Sequence, residues 1–267
     1  MSAPPEPATT VGEQLPTASG RRVLGVEVLL VLGVSLGASA VYSLVSILGR
    51  LTAGTALAEQ SATLNASAAP GRPWLDLTYQ LLGIVFALVP ALLALHLLNR
   101  TDPPASRTIG LDLREPLGDL GRGVVLAALI GIPGLGLYLV SHALGVNATV
   151  VPAALPHVWW AVPVLVLSAL QNALLEEIVV VGYLLRRLDQ LGMPGWLAVA
   201  ASAVLRGSYH LYQGFGGFVG NLVMGVVFGV AYRRWRRVGP LAVAHTVLDV
   251  VAFVGYAMLR GKVSWLP

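Results

Sequence analysis

The stretch "NALLEEIVVVGYLLRRL", residues 172–188, sets Glu176 and Glu177 side by side in a run of Leu, Ile and Val. A lipid-facing helix excludes two carboxylates, and a soluble amphipathic helix does not wrap them in aliphatic side chains. The segment makes sense as a membrane helix whose acidic pair faces protein or a wet cavity. Composition agrees. Of 267 residues, 56% are hydrophobic and only 11% charged, with a mean hydropathy of +0.76. Soluble domains carry roughly a quarter charged residues. The chain has no cysteine, which excludes disulfides and thiolate chemistry.

Working outward, apolar runs cover residues 23–48, 74–98, 124–143, 159–185, 196–212, 218–232 and 241–259. They predict an all-α polytopic helical bundle of about seven spans in a single membrane domain, residues 21–267. The polar, Pro-rich residues 1–20 are expected to form a disordered cytoplasmic tail. The first run is too long for a signal-peptide core of roughly 7–15 residues, so it reads as a retained helix. The fifth and sixth runs fall short of the roughly 20 residues of a straight span. The glycine-rich link between them, "QGFGGF" at 213–218, is therefore expected within the membrane and shielded by protein.

Basic residues fall on alternate sides of these runs. Arg21, Arg22, Arg100, Arg107, Arg114, Arg122, Arg186, Arg187, Arg233, Arg234, Arg236 and Arg237 share one side. Only Arg50, Arg72, Arg260 and Lys262 fall on the other. The excess places the N-terminus in the cytoplasm and the C-terminus outside, as a multi-pass protein of the cell membrane. The sequence pI of about 9.7 is thus topological and points to no nucleic-acid partner.

Ionisable groups within the runs are the functional candidates, since each costs roughly 2.5–3.5 kcal/mol at mid-helix. Arg206 and His210 lie four apart and share a helix face, as do His245 and Asp249. Ser168, Asn172 and Glu176 make a polar stripe. Adjacent Glu176 and Glu177 differ by about 100° on a regular helix, so one is expected to face a cavity and the other a neighbouring helix. Counting about 1.5 Å per residue from the basic ends puts these groups in the cytoplasmic half and midplane, around one cavity opening to the cytoplasm. Glu27 and Asp76, near helix ends, are expected to snorkel. His96, His142 and His157 read as packing residues, and Asn221 as a weaker cavity-lining candidate.

Such a set suits water activation. A glutamate takes a proton from water, a histidine relays it, and a second histidine with an acidic neighbour stabilises an oxyanion. A Glu, His, His set also suits a divalent metal such as zinc, although no HExxH helix is present to indicate one.

Three short motifs then stand in order: "EEIVVV" at 176–181, "RGSYH" at 206–210 and "HTVLD" at 245–249. Together they resemble the EExxxR, FxxxH and HxxxN/D motifs of the CPBP (Abi) intramembrane proteases, which include the type II CAAX prenyl endopeptidases. The resemblance covers roughly residues 159–254. It implies an intramembrane endopeptidase acting on a peptide or protein substrate in the lipid bilayer. Glu176 and His210 would activate water, with His245 and Asp249 stabilising the oxyanion and Glu177, Arg206 and Asn172 in support. Two positions depart from the motifs. Val181 stands where the family has arginine, and Arg206 where it has phenylalanine. The two positions are expected to lie level, so the arginine would have moved to the neighbouring helix while still reaching a carboxylate. A non-proteolytic scaffold for peptide binding or immunity, and a proton-coupled transporter, are the alternative classes.

Overall fold

The computed structural model describes residues 17–263, so most of the expected tail lies outside the described residues. Helix α1 (Ala18–Gly33) begins within the last residues assigned to that tail, because the Thr17 hydroxyl accepts from the Gly20 amide as an N-cap. Helix α2 (Leu36–Leu51) follows at an angle of 54°, so the run 23–48 is a bent pair and not one straight helix. Gly37 permits the bend, since a Cβ there would lie 2.7 Å from the Leu32 carbonyl oxygen.

Next come strand β1 (Ser61–Ala66), helices α3 (Pro73–Ala87) and α4 (Val89–Asn99), and the short α5 (Ala105–Thr108). Helix α6 (Pro116–Ala143) leads to strand β2 (Thr149–Ala154). Helix α7 (Ala161–Glu176) passes through a π-helical turn (Glu177–Tyr183) into α8 (Leu184–Gln190). The chain closes with α9 (Gly195–His210), a 3-10 turn (Leu211–Gln213), α10 (Phe215–Trp235) and α11 (Gly239–Leu259).

The result is an all-α polytopic bundle. Among the described residues, five helical stretches are long and apolar enough to span, or six if the bent α1–α2 pair counts as one span. The sixth apolar run is not short after all: α10 has 21 residues. Only α9, with 16, falls below span length. It packs against both α2 and α10, although Trp196, Leu197 and Val204 on it stay exposed. A Cβ at Gly225 would lie 2.7 Å from the Ala203 backbone, and one at Gly229 2.8 Å from Val199. Two glycines four apart thus let α10 approach α9 closely.

The connections gather at two ends. At one, β1 pairs in parallel with β2, and the Ala148 amide donates to the Gln213 carbonyl. This small sheet was not anticipated: β1 is short and polar, and Pro152 interrupts β2. At the other end Arg186 pairs with Asp102, Arg233 with Asp189, and Arg237 with Asp112 and Asp119. Burial pushes the Asp102 carboxyl up, but the hydrogen bond and charge of Arg186 outweigh it and hold it below its ordinary value. Arg114 and Arg237 likewise hold Asp112 well below the usual range. Successive connections alternate between the two ends, so α9 also runs from one to the other. With the basic end in the cytoplasm, a reporter fused at the C-terminus should read as extracytoplasmic; a cytoplasmic signal would overturn the charge argument.

Glu27 and Asp76 do not snorkel. Glu27 accepts from Tyr183 and the fully buried Arg187, both at 2.9 Å. Asp76 is buried and accepts from the Ala68 amide at 2.8 Å. The α7–α8 stretch is the most enclosed of the candidate spans, with 67% of its apolar window buried. The acidic pair therefore sits on the central element of the bundle.

Candidate active site

Glu176 ends α7 and Glu177 opens the π turn; they are 8% and 0% exposed. A π turn widens the helix by closing bonds five residues apart, a distortion common at functional sites. Buried Ser202 on α9 donates to the Val180 carbonyl at 2.8 Å, fastening the turn to its neighbour. The two carboxylates differ in surroundings, since Glu177 is wholly buried against neighbouring helices while Glu176 keeps some exposure. Both meet Arg206.

Arg206 donates from Nη2 to Glu177 Oε1 at 2.7 Å and from Nη1 to Glu176 Oε2 at 3.3 Å. Its side chain is wholly buried, with the guanidinium 5.3 Å from the centre of the Phe228 ring. The expected arginine–carboxylate bond is present and engages both acids. The expected level was wrong, however. The Ser202–Val180 bond sets those two residues level, so Arg206, one turn further along α9, lies level with the glutamates and not with Val181.

Tyr209 was missed by the sequence reading. Its hydroxyl donates to Glu176 Oε2 at 2.6 Å. Its position in "RGSYH" beside His210 was the available signal, but a neutral tyrosine in an apolar run carries no large insertion cost to mark it out. His245 Nδ1 lies 2.7 Å from Glu177 Oε1 and must be the donor, since a carboxylate only accepts. Its Nε2 lies 3.8 Å from Asp249 Oδ1, and Asn172 donates to Asp249 Oδ2 at 3.3 Å. His210 Nδ1 lies 3.0 Å from the Arg206 carbonyl, so it too donates, leaving the Nε2 lone pair free. The His210 ring tilts against Tyr209 with centroids 4.7 Å apart.

The ionisable motif residues thus gather in one network across α7, α9 and α11, with His210 joined to it through the Arg206 carbonyl and the Tyr209 ring. Residues 158–251 match the family model described as type II CAAX prenyl endopeptidase Rce1-like. This stretch is similar to that family. It holds the whole network, from Asn172 to Asp249. No curated protein and no solved structure matches the chain.

Within the Rce1-like stretch the two glutamates are not equivalent. Glu177 Oε1 serves both Arg206 and His245, while its buried Oε2 has no partner among the described residues. Glu176 is held through Oε2 alone, and its side chain keeps 11% exposure. Its Oε1 is therefore the carboxylate oxygen best placed to meet water. The site also lies nearer the sheet end than expected: His210 closes α9, and the turn after it bonds to Ala148 beside β2. Asn221 does not join the network; it donates to the Gly217 carbonyl of its own helix.

Among the described residues, the one group of three acidic or histidine side chains whose ligand atoms lie within 4.8 Å of one another is Glu176, Glu177 and His245, without His210. As arranged, these residues do not fit a metal. His245 Nδ1 and Glu177 Oε1 are 2.7 Å apart in a hydrogen bond, whereas ligands of a tetrahedral zinc sit about 3.3 Å apart. Arg206 already supplies positive charge to both carboxylates.

Proposed function

We propose that the protein is an intramembrane endopeptidase that hydrolyses a peptide bond in a membrane-associated or lipidated substrate with water activated by Glu176. The observation that carries this reading is the asymmetry of the acidic pair. Tyr209 and Arg206 fix Glu176 through one oxygen and leave the other free, while Glu177 is consumed in holding Arg206 and His245. The Rce1-like match supports peptide-bond hydrolysis in general.

Glu176 Oε1 takes a proton from water as the water oxygen attacks the scissile carbonyl carbon. The carbonyl oxygen becomes an oxyanion, and His245, carrying a proton on both ring nitrogens between the carboxylates of Glu177 and Asp249, stabilises it through Nε2–H. His210 Nε2 accepts a hydrogen bond from the same water and orients it. When the carbon–nitrogen bond breaks, the proton held by Glu176 passes to the departing nitrogen. The products are a carboxylic acid and an amine, the acid then gives its proton to the amine or to solvent, and Glu176 returns ionised. No step runs through a metal.

The test is cleavage of a synthetic peptide ending in a farnesylated Cys-Ala-Ala-Met sequence by the purified protein in bilayers. Cleavage should proceed equally with and without a chelator. Loss of cleavage on chelation, restored by zinc, would overturn the metal-free mechanism. A folded protein that cleaves neither this peptide nor membrane-embedded peptides would instead be a peptide-binding scaffold.

A further inference from the structure

The two-stranded sheet has one closed edge and one open edge. Its ladder is parallel, with Ser61 opposite Thr149 and Thr63 opposite Val151. The Thr149 amide donates to the Gln60 carbonyl. It follows that Thr149, Val151 and Ala153 direct their backbone groups toward β1, while Val150, Pro152 and Ala154 direct theirs outward. On β1 the outward residues are Ser61, Thr63 and Asn65.

The outward groups of β2 are blunted. The Val150 amide donates to the Tyr138 hydroxyl at 3.2 Å, Pro152 has no N–H, and its carbonyl accepts from the Asn65 side chain at 2.8 Å. On β1 only the Ser61 carbonyl is taken, by Arg50 at 3.1 Å. The N–H and C=O of Thr63, an exposed residue, and of Asn65 have no partner among the described residues. Exposed strand edges are normally covered or blunted, and here only one of two is.

The open edge also borders the site. Ala62 packs in one apolar cluster with Ala148 and Leu211, and Leu211 directly follows His210. We propose that the open edge of β1 receives the substrate polypeptide as an added third strand, delivering an extended backbone to the His210 end of the site. This rests on the protease reading above. Donor and acceptor pairs two residues apart match an extended chain and no other backbone conformation. A second copy of β1 fits less well, since a strand of six residues cannot bury the roughly 800 Å² per partner of a stable dimer.

Thr63→Pro is a selective probe. Its N–H points outward, so proline removes no bond of the existing ladder, yet it deletes one edge donor and obstructs the approaching strand. With the farnesylated peptide, Thr63→Pro should raise KM roughly tenfold with little change in kcat. Thr63→Val, which keeps the N–H, should restore wild-type KM. N-methylation scanned along the peptide should weaken it at alternate residues only. Wild-type kinetics in Thr63→Pro would overturn the docking edge while leaving the protease reading intact. Efficient disulfide cross-linking between copies of Thr63→Cys, the only cysteine in such a chain, would overturn it in favour of self-association. A wild type that cleaves no peptide would remove both readings together.

Discussion

Glu176→Gln should abolish cleavage while leaving the protein folded and inserted. The amide oxygen can still accept from Tyr209 and Arg206, so the network around it keeps its shape. What it loses is basicity, and removing a positioned general base typically costs about 10²–10⁴ in rate. The loss should appear in kcat, because the substituted side chain makes no substrate contact that binding would report. His210→Ala should fall in the same direction, since the free Nε2 is the group placed to orient water. Glu177→Gln should behave differently: its carboxylate holds Arg206 and His245, so stability should suffer along with rate. Single-turnover cleavage of the farnesylated peptide, alongside a folding assay in micelles, separates the two. Full activity in Glu176→Gln would remove the assigned base.

Arg206→Ala should destabilise the protein by roughly 3–5 kcal/mol, the usual cost of leaving a buried charge without its partner. The guanidinium is fully buried and serves two carboxylates, so its removal strands both Glu176 and Glu177. Arg206→Lys should fall in between, because an ammonium cannot span two acids as a planar fork does. The double change Arg206→Phe with Val181→Arg should recover part of the loss. Position 181 lies four residues beyond Glu177 on the same element and can return a cation to that carboxylate, while phenylalanine at 206 would lie beside Phe228. Denaturant titration in mixed micelles measures each step. Wild-type stability in Arg206→Ala would show that the acids are held by other means.

Membrane class, helical architecture and the ionisable side chains of the α7–α9–α11 network were legible in the sequence. Insertion energies attach to single residues, so Glu176, Glu177, Arg206, His210, His245 and Asp249 stand out in apolar runs without any knowledge of their neighbours. The pairing of Arg206 with the acids was legible too, because a lone arginine in a membrane helix must find an anion. How they meet was not. The π turn from Glu177 to Tyr183 lies in an unremarkable run of Ile, Val and Gly, and its energy is settled by packing and by the Ser202 hydroxyl on another helix. Next to that turn both carboxylates meet one guanidinium, and Arg206 lies a helical turn from its expected level. Tyr209, the bend at Gly37 and the β1–β2 sheet escaped as well. Tyr209 and the sheet depend on contacts between segments distant in the chain, where local propensity is weak and a few hydrogen bonds decide, and the bend depends on the close approach of position 37 to Leu32. The sequence by itself determined which groups had to be hidden from lipid; the tertiary structure decided which atoms face one another once hidden, because that choice is made by packing geometry between helices and not by any residue alone.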